Sequence, residues 1–112
     1  MTPKERRHDR LRHFPTMLSR WAGGRAKLWS YSISHSVLTI RIELDDVRGN
    51  LHITCSSLQH IHAPASWVNS NIQILLENDD DEFAPFIVQD VGNDVRVVCV
   101  DAAIAENVKP VF

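Results

Sequence analysis

Residues 28–56 read LWSYSISHSVLTIRIELDDVRGNLHITCS, and their apolar side chains recur at every second position. Such alternation is typical of β-strands that bury one face. The apolar residues occupy odd positions up to Ile33 and even positions from Leu38, which predicts a tight turn, or else a bulge, near residues 34–36. A polar loop at residues 45–50 precedes a third run. The sequence therefore predicts a three-stranded antiparallel meander over residues 28–56.

The second half of the chain continues this two-residue period less regularly. One short strand is expected around residues 58–62, and another over residues 72–76. Residues 91–94, Val-Gly-Asn-Asp, predict the turn of a hairpin between two further strands. Residues 101–107 are expected to form one or two helical turns, with Asp101 as the N-cap.

The N-terminal segment has the spacing of a helix instead. Four apolar residues recur there at intervals of three and four: Leu11, Phe14, Leu18 and Trp21. Pro15 is tolerated only in a first helical turn, so we predict a short amphipathic basic helix at about residues 15–22. With about six short strands, this helix makes a mainly β fold: an antiparallel sheet, or a partly closed sandwich or barrel. An α+β sheet is the alternative.

The spacing of Cys55, Trp67 and Cys99 resembles the immunoglobulin-like pattern, in which a tryptophan about twelve residues after the first cysteine packs on a disulfide. The resemblance covers residues 51–99. Val97 stands where that family places a tyrosine, two residues before the second cysteine. The resemblance implies a two-sheet sandwich, and it supplies a minor alternative for the fold.

Charge divides the chain into two parts. Residues 1–27 carry eight basic and two acidic side chains, a net charge of +6, whereas residues 28–112 carry four basic and twelve acidic ones, a net charge of −8. We therefore divide the chain into a basic N-terminal arm, residues 1–27, and a single β-rich domain, residues 28–112. The arm either folds back on the acidic body, lies outside the folded unit before Met17, or binds nucleic acid through residues 4–27.

Histidines provide the candidate metal ligands. On a strand, His60 and His62 point to the same side, which is the spacing of a β-strand chelate. His52 and Cys55, three residues apart, face opposite sides, so a zinc site would need a bulge between them. No CxxC or HExxH motif is present. We therefore expect no cofactor, and a zinc site at His52, His60 and His62 is the alternative.

The cysteines and the apolar runs bear on the compartment. Cys55 and Cys99 are in phase with apolar neighbours, which predicts buried, structural thiols. No run of apolar residues has the roughly 18 residues that a membrane span requires. No export signal with an apolar h-region is present, so a reducing, cytoplasmic location is expected.

Motifs for catalysis are missing from the sequence: it has no phosphate-binding glycine loop, nucleophile elbow or calcium loop. We therefore predict a small, non-catalytic domain that binds another protein, with a neutralising or regulatory role. The candidate contact residues are Trp67, which precedes an Asn-rich turn, and an acidic loop tip: Asp79, Asp80, Asp81 and Glu82. The alternatives are a metal-binding enzyme or sensor and a nucleic-acid-binding protein. Edge-to-edge strand pairing would also permit a homo-oligomer.

Overall fold

The computed structural model describes residues 2–78, 81 and 83–106. Its elements are helix α1 (Pro3–Ser19) and strands β1 (Arg25–Ser32), β2 (Val37–Glu43), β3 (Leu51–His62), β4 (Ser66–Trp67), β5 (Gln73–Leu76), β6 (Phe86–Asp90) and β7 (Val95–Glu106). A 3-10 turn, Val91–Asn93, joins β6 to β7.

The strands form one antiparallel sheet in the order β4-β1-β2-β3-β7-β6-β5, curled into a half-barrel. The predicted mainly β fold is therefore confirmed, with seven strands in the described residues. This single sheet differs from the two-sheet sandwich that the immunoglobulin resemblance implies, and Cys55 and Cys99 are free thiols. No helix in the described part of the chain is long and apolar enough to cross a membrane.

The predicted meander is present as β1, β2 and β3, with the predicted turn between β1 and β2. A turn occupies residues 33–36. In addition, β1 has a bulge between Leu28 and Ser30, which pair with Ile40 and Thr39 of β2. Trp29 is the extra residue of this bulge, so the faces of the residues after it are exchanged: Ser30 pairs on the outer face and Tyr31 on the inner face.

The expectation of a separate strand at residues 58–62 is wrong, because β3 runs without interruption from Leu51 to His62. The chain bends within this strand: Ser57 has a positive φ of 52°, and the register with β7 shifts between Leu58 and His60. A bulge lets one strand continue past an irregularity that breaks its sequence period.

The expected helical turns at residues 101–107 are also wrong, because β7 extends as a strand to Glu106. Asp101, expected as an N-cap, pairs instead with Ser56 of β3. The long strand β3 offers a continuous row of backbone partners, and this ladder outweighs the weak local helix preference of the alanines. Asn107 lies outside the described residues.

The helix is longer than the predicted residues 15–22: α1 spans Pro3–Ser19 and contains Pro15 in its interior. An interior proline costs a helix about 3 kcal/mol, because it removes one hydrogen bond and crowds the preceding turn. Phe14 and Leu18 are 1% and 7% exposed, and they pack in the core between α1 and the sheet. Burial of two large side chains offsets the cost of the proline.

The basic helix faces acidic groups of β7. Arg10 Nη1 lies 2.6 Å from Asp101 Oδ1, and Arg20 Nε donates to Glu106 at 3.2 Å. The Arg7 guanidinium stacks 4.7 Å from the centre of the Phe86 ring. Of the alternatives for the basic segment, the contacts therefore match an arm that folds back on the acidic body.

Candidate binding site

Three polar side chains form a row across the outer face of the sheet, which is the side opposite the buried core. Lys27 pairs with Arg41, and Arg41 pairs with His52, on the adjacent strands β1, β2 and β3. Residues directly opposite each other on antiparallel strands share a face. Arg41 alternates with Ile40 and Ile42, which are buried on the other face, so the row lies outside the apolar core.

Arg41 is held firmly although it lies on this outer face, where it is only 4% exposed. Its Nε donates to Asn50 Oδ1 at 2.7 Å and lies 3.1 Å from Glu43 Oε1. Its guanidinium stacks 4.0 Å from the centre of the Trp29 ring. The cation is thus fixed by one amide, one carboxylate and one aromatic face.

Trp29, two residues after Lys27 on β1, covers this row. Its ring lies 5.1 Å from Lys27 Nζ and has its centre 6.4 Å from that of the His52 ring. Even so, 43% of the side chain remains exposed. An aromatic ring with one side on cations and the rest in solvent is a feature of binding surfaces, since it offers both apolar area and a polar rim.

A pocket of about 320 Å³ opens beside this row, between β1 and β2 and the loop of residues 44–50. We call it the outer-face pocket; its charged and aromatic lining is Arg25, Lys27, Trp29, Arg41 and Glu43. The Glu43 carboxylate lies 3.6 Å from Arg25 Nη2, 3.4 Å from Lys27 Nζ and 3.1 Å from Arg41 Nε. Three cations therefore share one inner carboxylate.

His52, a predicted metal ligand, lies at the edge of this row. Burial lowers its pKa, and the positive charge of Arg41 lowers it further, so the ring is neutral at pH 7. Its Nε2 is buried and has no hydrogen-bond partner among the described residues. The histidine therefore acts as a neutral neighbour of Trp29 and Arg41.

The structure does not bring the three predicted metal ligands together. His60 and His62 share one side of β3, as expected, but His52 lies eight residues away, roughly 26 Å along the strand. His62 Nε2 is 2.9 Å from Oδ2 of Asp94, the residue immediately before β7. In the part of the chain that the structure describes, no three His, Cys, Asp or Glu side chains form a group able to hold a metal ion.

The predicted contact residues have different surroundings. Trp67 is 7% exposed, and its indole N–H donates to Asp90 Oδ2 at 3.0 Å, so it is part of the core. Asp81 is exposed, and its carboxylate accepts from the Phe83 N–H at 2.9 Å, which stabilises the turn of the loop. The other three acidic residues of the loop tip lie outside the described residues: Asp79, Asp80 and Glu82.

The predicted thiols are buried, as the sequence indicated. Cys55 and Cys99 are both 0% exposed, on the neighbouring strands β3 and β7. A hydrogen bond to Cys99 raises the pKa of the Cys55 thiol, and burial raises it further. The same hydrogen bond lowers the pKa of Cys99, so the shift of Cys55 describes one member of the pair, and it is their complete burial that gives both thiols the character of core residues.

Sequence reasoning missed the outer-face pocket. The sequence carried no specific signal for it, because Arg41 stands at an ordinary polar position of the alternation, between Ile40 and Ile42. The contacts of Arg41 with Trp29 and with Asn50 depend on the pairing of β1 with β2 and on the fold of the β2–β3 loop, and neither is visible in the local pattern.

Comparison with known proteins adds no relative. The chain matches no protein family, and neither a curated protein nor a solved structure is significantly similar to it. Its function is therefore inferred from the geometry of its own residues.

Proposed function

We propose that the protein is a small, non-catalytic domain that binds an extended segment of another protein along the open edge of β1. One observation carries this proposal: β1 pairs with β2 along its whole length, but with β4 only at Ala26 and Lys27. The Leu28 N–H donates to Ala65 at 2.9 Å, and residues 29–32 then lie at the edge of the sheet, with no strand beside them in the described part of the chain.

An open edge of this kind is a template for strand addition. Its outward N–H and C=O groups pair with any extended chain, and neighbouring side chains then select the sequence. Trp29 and Tyr31, 43% and 50% exposed, lie at this edge. Trp29 contacts the cations of the outer face, whereas Tyr31 pairs with the buried Leu38 and so lies on the inner face. An added strand would meet one aromatic ring on each face.

The charge around this edge indicates the chemistry of the partner. Arg25 and Lys27 precede the open residues, and their side chains are 58% and 41% exposed. An added strand with an acidic residue at that end would complement them. Strand addition covers the partner's segment without changing it chemically, which suits a neutralising or regulatory role.

The two alternative functions have less support. Arg10 and Arg20, in the segment that would bind nucleic acid, already form ion pairs with Asp101 and Glu106. A phosphate backbone would have to displace these carboxylates. A metal site of three histidines would have to include His52, which lies eight residues before His60 along β3.

A reducing, cytosol-like compartment is part of the proposal. Its support is that Cys55 and Cys99 are free, buried thiols on neighbouring strands, which is the usual state of cysteines under reducing conditions.

The proposal is tested with a display library of short random peptides. Peptides selected on the wild-type protein should slow hydrogen exchange of the amides at residues 29–32, and Trp29→Ala should weaken their binding about tenfold or more, as expected for an aromatic anchor. Phe83→Ala removes an aromatic that is 84% exposed on another loop, and it should leave binding unchanged.

Two results would contradict the proposal. One is a set of selected peptides whose protection maps away from β1. The other is protection of residues 29–32 that rises with protein concentration alone, together with a dimer in light scattering. In that case the edge is occupied by a second copy of the chain.

A further inference from the structure

The guanidinium of Arg41 has hydrogen-bonding capacity that the described residues leave unused. Its Nε donates to Asn50, and the same atom is the one that lies 3.1 Å from the Glu43 carboxylate. Its two terminal nitrogens, Nη1 and Nη2, have no hydrogen-bond partner in the part of the chain that the structure describes, and neither is a buried unpaired atom, so both reach solvent. These donors are therefore open to a ligand or to water.

The charge of the outer-face pocket points to an anion. Glu43 is shared by three cations, and the only other carboxylate in contact with them is Asp45, 2.8 Å from Arg25 among the described residues. The Asp45 side chain is 79% exposed, so solvent screens it.

The arrangement favours a phosphate group over a carboxylate. A guanidinium alone satisfies both oxygens of a carboxylate, through two parallel N–H bonds. Here two further cations, Arg25 and Lys27, line the same space of about 320 Å³. A third oxygen and a second negative charge, which a phosphate group has and a carboxylate lacks, would use them.

We propose that the outer-face pocket binds a phosphate group, with Arg41 as the bidentate ligand and with Lys27 and Arg25 at the remaining oxygens. Trp29 would form one wall of the site. The group is either free inorganic phosphate or the phosphate of a larger molecule. This site uses side chains of the outer face, and it does not depend on strand addition at the edge of β1.

The test is an NMR titration of the full-length protein, with sodium phosphate, O-phosphoserine and sodium acetate added at constant ionic strength. The Trp29 indole N–H and the Arg41 Nε–H should shift saturably with both phosphate compounds. Acetate should bind at least about tenfold more weakly, because it lacks the third oxygen and the second charge. Tighter binding of O-phosphoserine than of phosphate identifies a phosphorylated molecule as the source, and the reverse order identifies the free ion.

Three variants make the test specific. Arg41→Lys keeps the charge but removes the bidentate fork, and it should weaken phosphate binding about tenfold. Lys27→Gln should weaken phosphate binding by a similar factor. Because the Lys27 side chain is half-exposed, this variant should fold even if the buried substitution Arg41→Lys does not. Arg48→Gln removes the same charge from the exposed part of the adjacent loop and should change binding less than twofold.

The proposal is overturned if acetate binds as tightly as phosphate, if no saturable shift is seen, or if Arg48→Gln weakens binding as much as Lys27→Gln. The last result would mean that phosphate follows the net charge alone. None of these outcomes bears on peptide binding at β1, so the two proposals fail separately.

Discussion

Replacement of Phe14 by alanine tests whether the basic N-terminal segment is part of the folded unit. Phe14 is 1% exposed, although it lies in α1 beside Pro15, and its ring packs edge-on against Phe86 with centres 6.4 Å apart. If α1 were a detachable arm, loss of this ring would hardly matter. If α1 closes the core, as the burial indicates, the loss should be among the largest available in the chain.

The magnitude follows from burial and from the ring pair. Truncation of a buried phenylalanine to alanine typically destabilises a protein by about 3–5 kcal/mol, through lost transfer energy and the cavity left behind. About 1 kcal/mol of this is the aromatic contact with Phe86. Since small domains have a total stability of about 5–15 kcal/mol, Phe14→Ala should remove about a fifth of it or more.

Urea unfolding followed by tryptophan fluorescence measures this effect. With a urea dependence of about 2 kcal/mol per molar, a loss of about 4 kcal/mol lowers the midpoint by about 2 M. Phe83→Ala is the matched control, because the Phe83 side chain is 84% exposed, and its midpoint should stay within about 0.3 M of wild type. A Phe14→Ala midpoint as close to wild type as that of the control would refute the packing of α1 on the sheet.

Two further substitutions test the polar groups that hold the fold. Asp90→Ala should lower the free energy of unfolding, measured in urea, by about 2–5 kcal/mol, because Asp90 is 1% exposed and accepts a hydrogen bond from the buried Trp67 indole. The control is Asp46→Ala at an exposed position, which should have almost no effect. A hydrogen bond from Arg20 lowers the pKa of Glu106, so this carboxylate stabilises the fold above its ordinary pKa of 4.5, and the contribution is lost as the pH falls through the lowered folded value. Glu106→Gln should therefore lower Tm at pH 7 and have progressively less effect towards pH 3, and an equal loss of Tm at both pH values would contradict the role of the ion pair.

The parts of the fold that sequence predicted correctly are those specified by neighbours along the chain. The meander follows from an alternation confined to residues 28–56, and each strand needs only the next one as its partner. The two errors in the C-terminal half of the chain have the opposite origin. The C-terminal part of β7 is a strand because it pairs with β3, about fifty residues earlier in the chain. The local helix preference of Ala102 and Ala103 carries no information about that distant partner.

The helix error has a similar cause. Pro15 is a sound local reason to begin the helix late, and only the packing of Phe14 and Leu18 against the sheet outweighs it. Tertiary contacts of this kind are not encoded in any single window of sequence. The apolar spacing of the segment identified its buried face correctly, but not the point at which the helix begins.

The arrangement of the open edge was invisible for a reason that concerns one residue. Strict alternation would place Trp29 and Tyr31 on the same face of β1, and the bulge separates them. Trp29 stays on the outer face, two residues after Lys27 and against Arg41, whereas the bulge moves Tyr31 to the inner face opposite Leu38. One extra residue in β1 thus places an aromatic ring on each side of the open edge. The edge proposed to bind a peptide therefore depends on a backbone irregularity that an alternating pattern of apolar and polar residues conceals.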